Sequence, residues 1–115
     1  YSRCYREMSA KSIIINANLK YIDANRKELR KSYPTFKKFR EKFQVPQALV
    51  DSIMAQGEKQ NIKPKDDAEQ QTTQDNIRRI IKALVARDLW DMSEYFCIIY
   101  EDDEVVKKAV ELLQQ

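Results

Sequence analysis

The sequence predicts an all-α fold, an irregular bundle of about six short-to-medium helices. Three observations carry this. Glycine occurs once and proline three times, so the chain lacks the breakers of a turn-rich β fold. Charged residues make up 34% of it, and 43% is apolar, enough to build a core without staples. The apolar residues recur at three- and four-residue intervals, which is the helical period. At 115 residues one domain is expected, burying roughly 65% of the surface its unfolded chain exposes.

The elements follow in order. Residues 1–20 open with a weakly patterned lead-in in which Ser2 to Ser9 have room for a short helix. From Ser12 to Lys31, Ile15, Leu19, Ile22 and Leu29 mark one stripe, with Ile14 and Tyr21 beside it. Tyr33-Pro34 ends that helix, because a residue before proline avoids the helical region. Thr35 then reads as the N-cap of a short helix whose inner side holds Phe36, Phe39 and Phe43. Val45-Pro46 breaks the chain again, with Pro46 suited to a first helical position and Leu49, Val50, Ile53 and Met54 facing inward. Gly57 falls inside or near the end of this helix, and Asn61 suits a left-handed terminator. The run from Asp66 to Gln71 has the polarity of a linker, but its acidic residues suit the N-terminus of a helix that continues through Ile77, Ile80, Ile81, Leu84 and Val85 to Trp90. Ser93 is the expected cap of a short helix with Tyr95, Phe96 and Ile99. Asp102 or Asp103 is the expected cap of a last one, with Val105, Val106, Ala109, Leu112 and Leu113 inward. No repeat or heptad array is present, which sets aside solenoids and coiled coils.

Composition excludes much chemistry. With no histidine, Ser-His-Asp and Cys-His triads, imidazole shuttles and histidine-bearing metal sites fall away. Cys4 and Cys97 are too few for a zinc site; they are candidates for one disulfide in an exported protein and for two ordinary thiols in the cytosol. Cys97, between Phe96 and Ile98, is expected in the core. The carboxylates Asp88 and Asp91 and the run Glu101 to Glu104 are better explained as helix caps than as an acid-base pair, and they lack the glycine and ligand spacing of an EF-hand. The single glycine argues against a phosphate-cradling loop. Lys11-Ser12 and Lys31-Ser32 are weak candidates for a serine-lysine dyad, since neighbours on a helix point apart. No catalytic, cofactor or metal residue is therefore assigned. The aliphatic run Ile13 to Ile15 is far short of a membrane span.

The net charge of +3 conceals an asymmetry. Lys20 to Lys42 holds nine basic and three acidic residues, while Arg87 to the end holds three basic and eight acidic. Two solvated faces attracting each other explain it better than nucleic-acid binding, because the phenylalanines among the lysines sit at core spacing and offer no stacking platform. The candidate interface residues are Arg87, Trp90, Tyr95 and Tyr100, since aromatic and arginine side chains are enriched at binding hot spots. For Trp90 a core anchor, and for Arg87 a solvated charge, is the preferred reading.

The stretch from Ile81 to Phe96, IKALVARDLWDMSEYF, and that from Ile99 to Leu113, IYEDDEVVKKAVELL, resemble the C-terminal helical tail of carboxyl-terminal processing peptidases, the tail-specific serine proteases, as found in Bacteroidetes. Tyr21 to Phe39, YIDANRKELRKSYPTFKKF, is similar to the segment that opens that tail. The likeness runs from Tyr21 to the end, with the middle matching only in pattern. It implies that residues 1–115, which begin without a start methionine or signal-like segment, are a C-terminal fragment of a larger exported, periplasmic enzyme. In that family a serine nucleophile and a lysine base lie in a separate α/β core, so no catalytic residue carries over to this chain. The implied role is bracing that core, gating substrate or aiding oligomerisation, and the implied partner is the core itself. The alternative is a free-standing helical module that binds another protein.

Overall fold

A computed structural model describes residues 2–100. They form six helices and no strand: α1 (Arg3–Ala10), α2 (Ile13–Ser32), α3 (Phe36–Lys42), α4 (Gln47–Lys59), α5 (Asp67–Leu89) and α6 (Met92–Ile99). The all-α bundle expected from the sequence is what the chain adopts. The further helix expected after Asp102 or Asp103 lies outside the described residues.

Helix α5 is the centre of the bundle and packs against α1, α2, α4 and α6. Over one turn near its C-terminal end it is buried on all sides, since the consecutive residues Ala83, Leu84, Val85 and Ala86 are all enclosed. Four successive residues are spread over about 300° around the helix axis, so no single face accounts for them. Small side chains at Ala83 and Ala86 let neighbouring helices approach closely.

The lead-in is more ordered than its pattern suggests. Ser2 caps α1 by accepting from the Tyr5 N–H at 3.0 Å, and Cys4, Tyr5 and Met8 bury one face of it. The start of α1 is also fastened to α5. The Ser2 N–H donates to Asn76 Oδ1 at 3.0 Å, and the Ser2 hydroxyl lies 2.6 Å from that of the fully buried Thr73. Arg3 bridges Glu7 at 2.8 Å and Glu69 at 2.9 Å and donates to the Lys63 carbonyl oxygen. These bonds tie residues about seventy positions apart through side chains whose pairing no local pattern reveals.

The stripe expected for α2 holds at Ile22 and Leu29, with Ile14 beside them, and fails at its start. Ile15 and Leu19 are exposed, and the buried face is Ile13, Ile14, Asn18, Ile22 and Leu29. Asn18, 1% exposed, sits in the apolar row because its amide finds a partner on α5. A left-handed Ser12, with φ of 61°, separates α1 from α2, where the sequence suggested no strained turn.

The remaining ends follow local chemistry. Thr35 caps α3, accepting from the Lys38 N–H at 3.2 Å. Pro46 is the N-cap of α4, one position before the expected one, with its backbone still extended. Asn61 terminates α4 with φ of 63°. The Ile62 N–H reaches the Gly57 carbonyl at 2.9 Å and the Asn61 N–H reaches that of Glu58 at 3.0 Å, a Schellman arrangement sealed by the buried Ile62. Gly57, inside α4, meets Met8 of α1; a Cβ there would stand 3.1 to 3.3 Å from three Met8 side-chain atoms. Asp66 caps α5, accepting from the Glu69 N–H at 2.8 Å. Helix α6 is capped by Asp91 and not by Ser93: Asp91 accepts from the Met92 N–H at 2.7 Å.

The phenylalanines of α3 turn inward as their spacing predicts. Phe39 stacks on Phe43 at 4.6 Å between ring centres, and Tyr33 meets both edge-on. Trp90 closes the cluster from the end of α5, 5.4 Å from Phe39 and 5.6 Å from Phe36. No helix among the described residues is long and apolar enough to cross a membrane.

Candidate functional site

Helix α6 is apolar almost all round, reading MSEYFCII, and eight residues cannot bury every side chain against one neighbour. Ile98 takes the innermost place at 1% exposure. Cys97, expected in the core, is exposed instead, because it shares the outer side of this short helix. Phe96, also expected inward, is 46% exposed, and Met92 and Tyr100 stand out with it.

These outward side chains border a groove of about 440 Å³ between α6 and the edges of α1, α2 and α5. Ile14 and Ile15 of α2 and Ile80 and Leu84 of α5 line it from one side, Met92 and Phe96 of α6 from the other. The Phe96 ring lies parallel to Tyr100 at 5.8 Å and meets Tyr95 edge-on at 5.3 Å, making a ladder of three rings along α6. Leu19, one turn beyond Ile15 on the same side of α2, extends the apolar surface.

The four candidate interface residues divide. Arg87 and Tyr95 line the groove. Tyr100 adjoins it through its stack on Phe96. Trp90 does not join them: its ring is directed into the cluster around Phe39, so it serves as the core anchor. Arg87 is half-exposed and holds Asp88 at 3.3 Å, which leaves the charged head at the groove rim and its stem against apolar surface. Met92, Phe96 and Ile15 were assigned no interface role from sequence. Ser93 and Glu94 are the only polar residues of α6, too few to set which of its apolar side chains turn outward.

Among the described residues no group of three or more acidic or thiol side chains is placed to hold a metal ion. Cys4 and Cys97 are both free, one buried and one exposed. Burial holds the Cys4 thiol above its ordinary range, outweighing the hydrogen bond with Thr73 that favours ionisation, so it is a poor nucleophile. Lys11-Ser12 falls at the α1–α2 junction and Lys31-Ser32 at the end of α2.

Fold and groove together describe a small all-α domain with an open apolar face. The chain belongs to a family of unknown function, DUF8443, whose model matches residues 4–91, from Cys4 in α1 to Asp91 at the cap of α6. No curated protein matches the chain, and no solved structure does.

Proposed function

We propose that this chain is a non-catalytic helical domain that docks onto a larger protein through the α6 groove. The observation that supports this is the exposed set of Met92, Phe96 and Tyr100 beside Ile15, apolar side chains that a closed monomer has reason to cover. The larger protein is proposed to be an exported carboxyl-terminal processing peptidase, a reading supported by the resemblance of Tyr21–Phe39 and Ile81–Phe96 to the tail of that class. On this reading the groove seats the domain against the catalytic core, and the serine and lysine that cleave peptides belong to that core. The implied location is the periplasm.

The test begins with the full-length gene product. It is expected to encode a serine-lysine peptidase core ahead of this domain and to cleave an unstructured peptide. Met92→Asp with Phe96→Asp is expected to lower that cleavage at least fivefold while the domain keeps its helical content. Absence of a peptidase core from the gene removes the enzyme reading. The same two substitutions then test docking of a free-standing module in a pull-down, the alternative that the same exposed side chains support.

A further inference from the structure

A second groove, of about 430 Å³, runs between α2 and α4 and shares no lining residue with the α6 groove. Its chemistry differs. Lys11 at the α1–α2 junction and Lys20 on α2 line it, and no carboxylate does. Neither ammonium forms a salt bridge with a described residue. Between the lysines the walls offer the amides of Asn16, Gln56 and Gln60 and the hydroxyl of Ser52. Ile13 and Leu49 supply apolar surface within the same groove.

We infer that the α2–α4 groove binds an extended acidic peptide segment. Three features select that occupant. Amide side chains carry both donors and acceptors, which suits the alternating N–H and C=O groups of a peptide backbone. Two unpaired lysines without a competing carboxylate suit carboxylate side chains, and they add attraction that salt weakens. The lining on α2 from Ile13 to Tyr21 spans about 12 Å at the helical rise, close to the length of four extended residues. A nucleic acid is the poorer fit, because the groove exposes no row of aromatic faces for bases to stack on.

The experiment uses the whole chain and fluorescence anisotropy at low salt. The probe is a fluorescein-labelled hexapeptide, Glu-Glu-Leu-Ala-Asp-Glu, compared with Gln-Gln-Leu-Ala-Asn-Gln. The acidic peptide is expected to bind at least tenfold more tightly. Lys11→Gln with Lys20→Gln is expected to weaken it at least tenfold, and Lys37→Gln with Lys38→Gln on α3 to leave it within twofold. Gln56→Glu, which places a carboxylate in the groove without removing a lysine, is expected to weaken binding by a similar factor. Far-UV circular dichroism of each variant establishes that it is folded. Lack of binding by the acidic peptide overturns the inference. So does equal weakening by the α3 pair, which reduces the effect to general basic charge. Tighter binding of labelled twelve-nucleotide oligothymidine, displacing the peptide, overturns it in favour of a nucleic-acid surface.

Discussion

Asn18 of α2 donates from Nδ2 to Oδ2 of Asp88 on α5 at 3.2 Å, and its own Oδ1 is buried without a hydrogen-bond partner among the described residues. The pair crosses the two longest helices at a point where the rest of the row, Ile14 and Ile22, is apolar. Asp88 has a second partner in Arg87, so it does not depend on Asn18 alone. Asn18→Leu therefore removes one orphaned acceptor and leaves Asp88 paired; stability is expected to stay within about 1 kcal/mol of the parent. Asn18→Asp puts a second carboxylate against the first in a buried row and is expected to cost about 3 kcal/mol at pH 7. That loss is recovered as pH falls, because the folded state binds a proton there more tightly than the unfolded one. Urea melts at pH 7 and pH 5 test this. A larger loss for Asn18→Leu than for Asn18→Asp would show that Asn18 is there to bond and not to fill.

The two thiols differ in access, and their chemistry should differ with it. Maleimide under native conditions is expected to modify Cys97 within minutes and to leave Cys4 untouched until denaturant is added, which mass spectrometry reads directly. Burial also raises the Tyr21 phenol, with Tyr33 adding to the effect. Both groups stay protonated in the fold at pH values where the unfolded chain ionises, beginning at about 8.5 for a thiol. Above that pH the unfolded state releases protons that the folded state keeps, so stability falls as pH rises; below it both states hold the proton and these groups contribute no slope. Denaturant midpoints between pH 7 and pH 10 are expected to decline, less steeply in Cys4→Ala.

Ser12 is a β-carbon-bearing residue in the left-handed region, with φ of 61°. Its side chain makes no capping bond for α2. The conformation costs a non-glycine residue roughly 1 kcal/mol, partly offset by the greater freedom of glycine in the unfolded chain. Ser12→Gly is expected to raise the melting temperature by about 2–3 °C. Asn61→Gly, at φ of 63°, is expected to gain less, because asparagine tolerates this region. Ser12→Val is expected to lower the midpoint. Differential scanning calorimetry of the three variants gives the order.

The parts of the fold legible in the sequence are those set by local chemistry. Thr35, Pro34, Asn61 and Asp66 mark helix ends by capping or by backbone restriction, and each does so in the structure within a residue. Phe36, Phe39 and Phe43 lie on one side of a helix whose other positions are charged, so their direction was unambiguous. The three successive isoleucines 13–15 offered two stripes, and apolar character alone favoured the one through Ile15 and Leu19. What decided otherwise was Asp88, seventy residues away, which makes a polar Asn18 acceptable inside. The same limit applies to the candidate site. Arg87 and Tyr95 were identifiable by residue type, but the outward turn of Phe96 and Cys97 depends on which side of α6 reaches α5.

Phe39 and Phe96 are both phenylalanines in short helices, and the structure assigns them opposite duties. Phe39 is fully buried and touches Tyr33, Phe36, Phe43 and Trp90. Phe39→Ala removes the ring these four pack on and is expected to cost about 3–5 kcal/mol. Trp90 is the only tryptophan, so its emission reports on the cluster, and a red shift is expected as water reaches the vacated space. Phe96 is 46% exposed and rests on Tyr95 and Tyr100 at the groove rim. Phe96→Ala is expected to cost less than about 1 kcal/mol and to leave the Trp90 emission unchanged, as expected of a surface site. Equilibrium unfolding and emission spectra of the two variants measure both quantities. If Phe96→Ala proved as damaging as Phe39→Ala, Phe96 would belong to the core and the α6 groove would lose its principal wall.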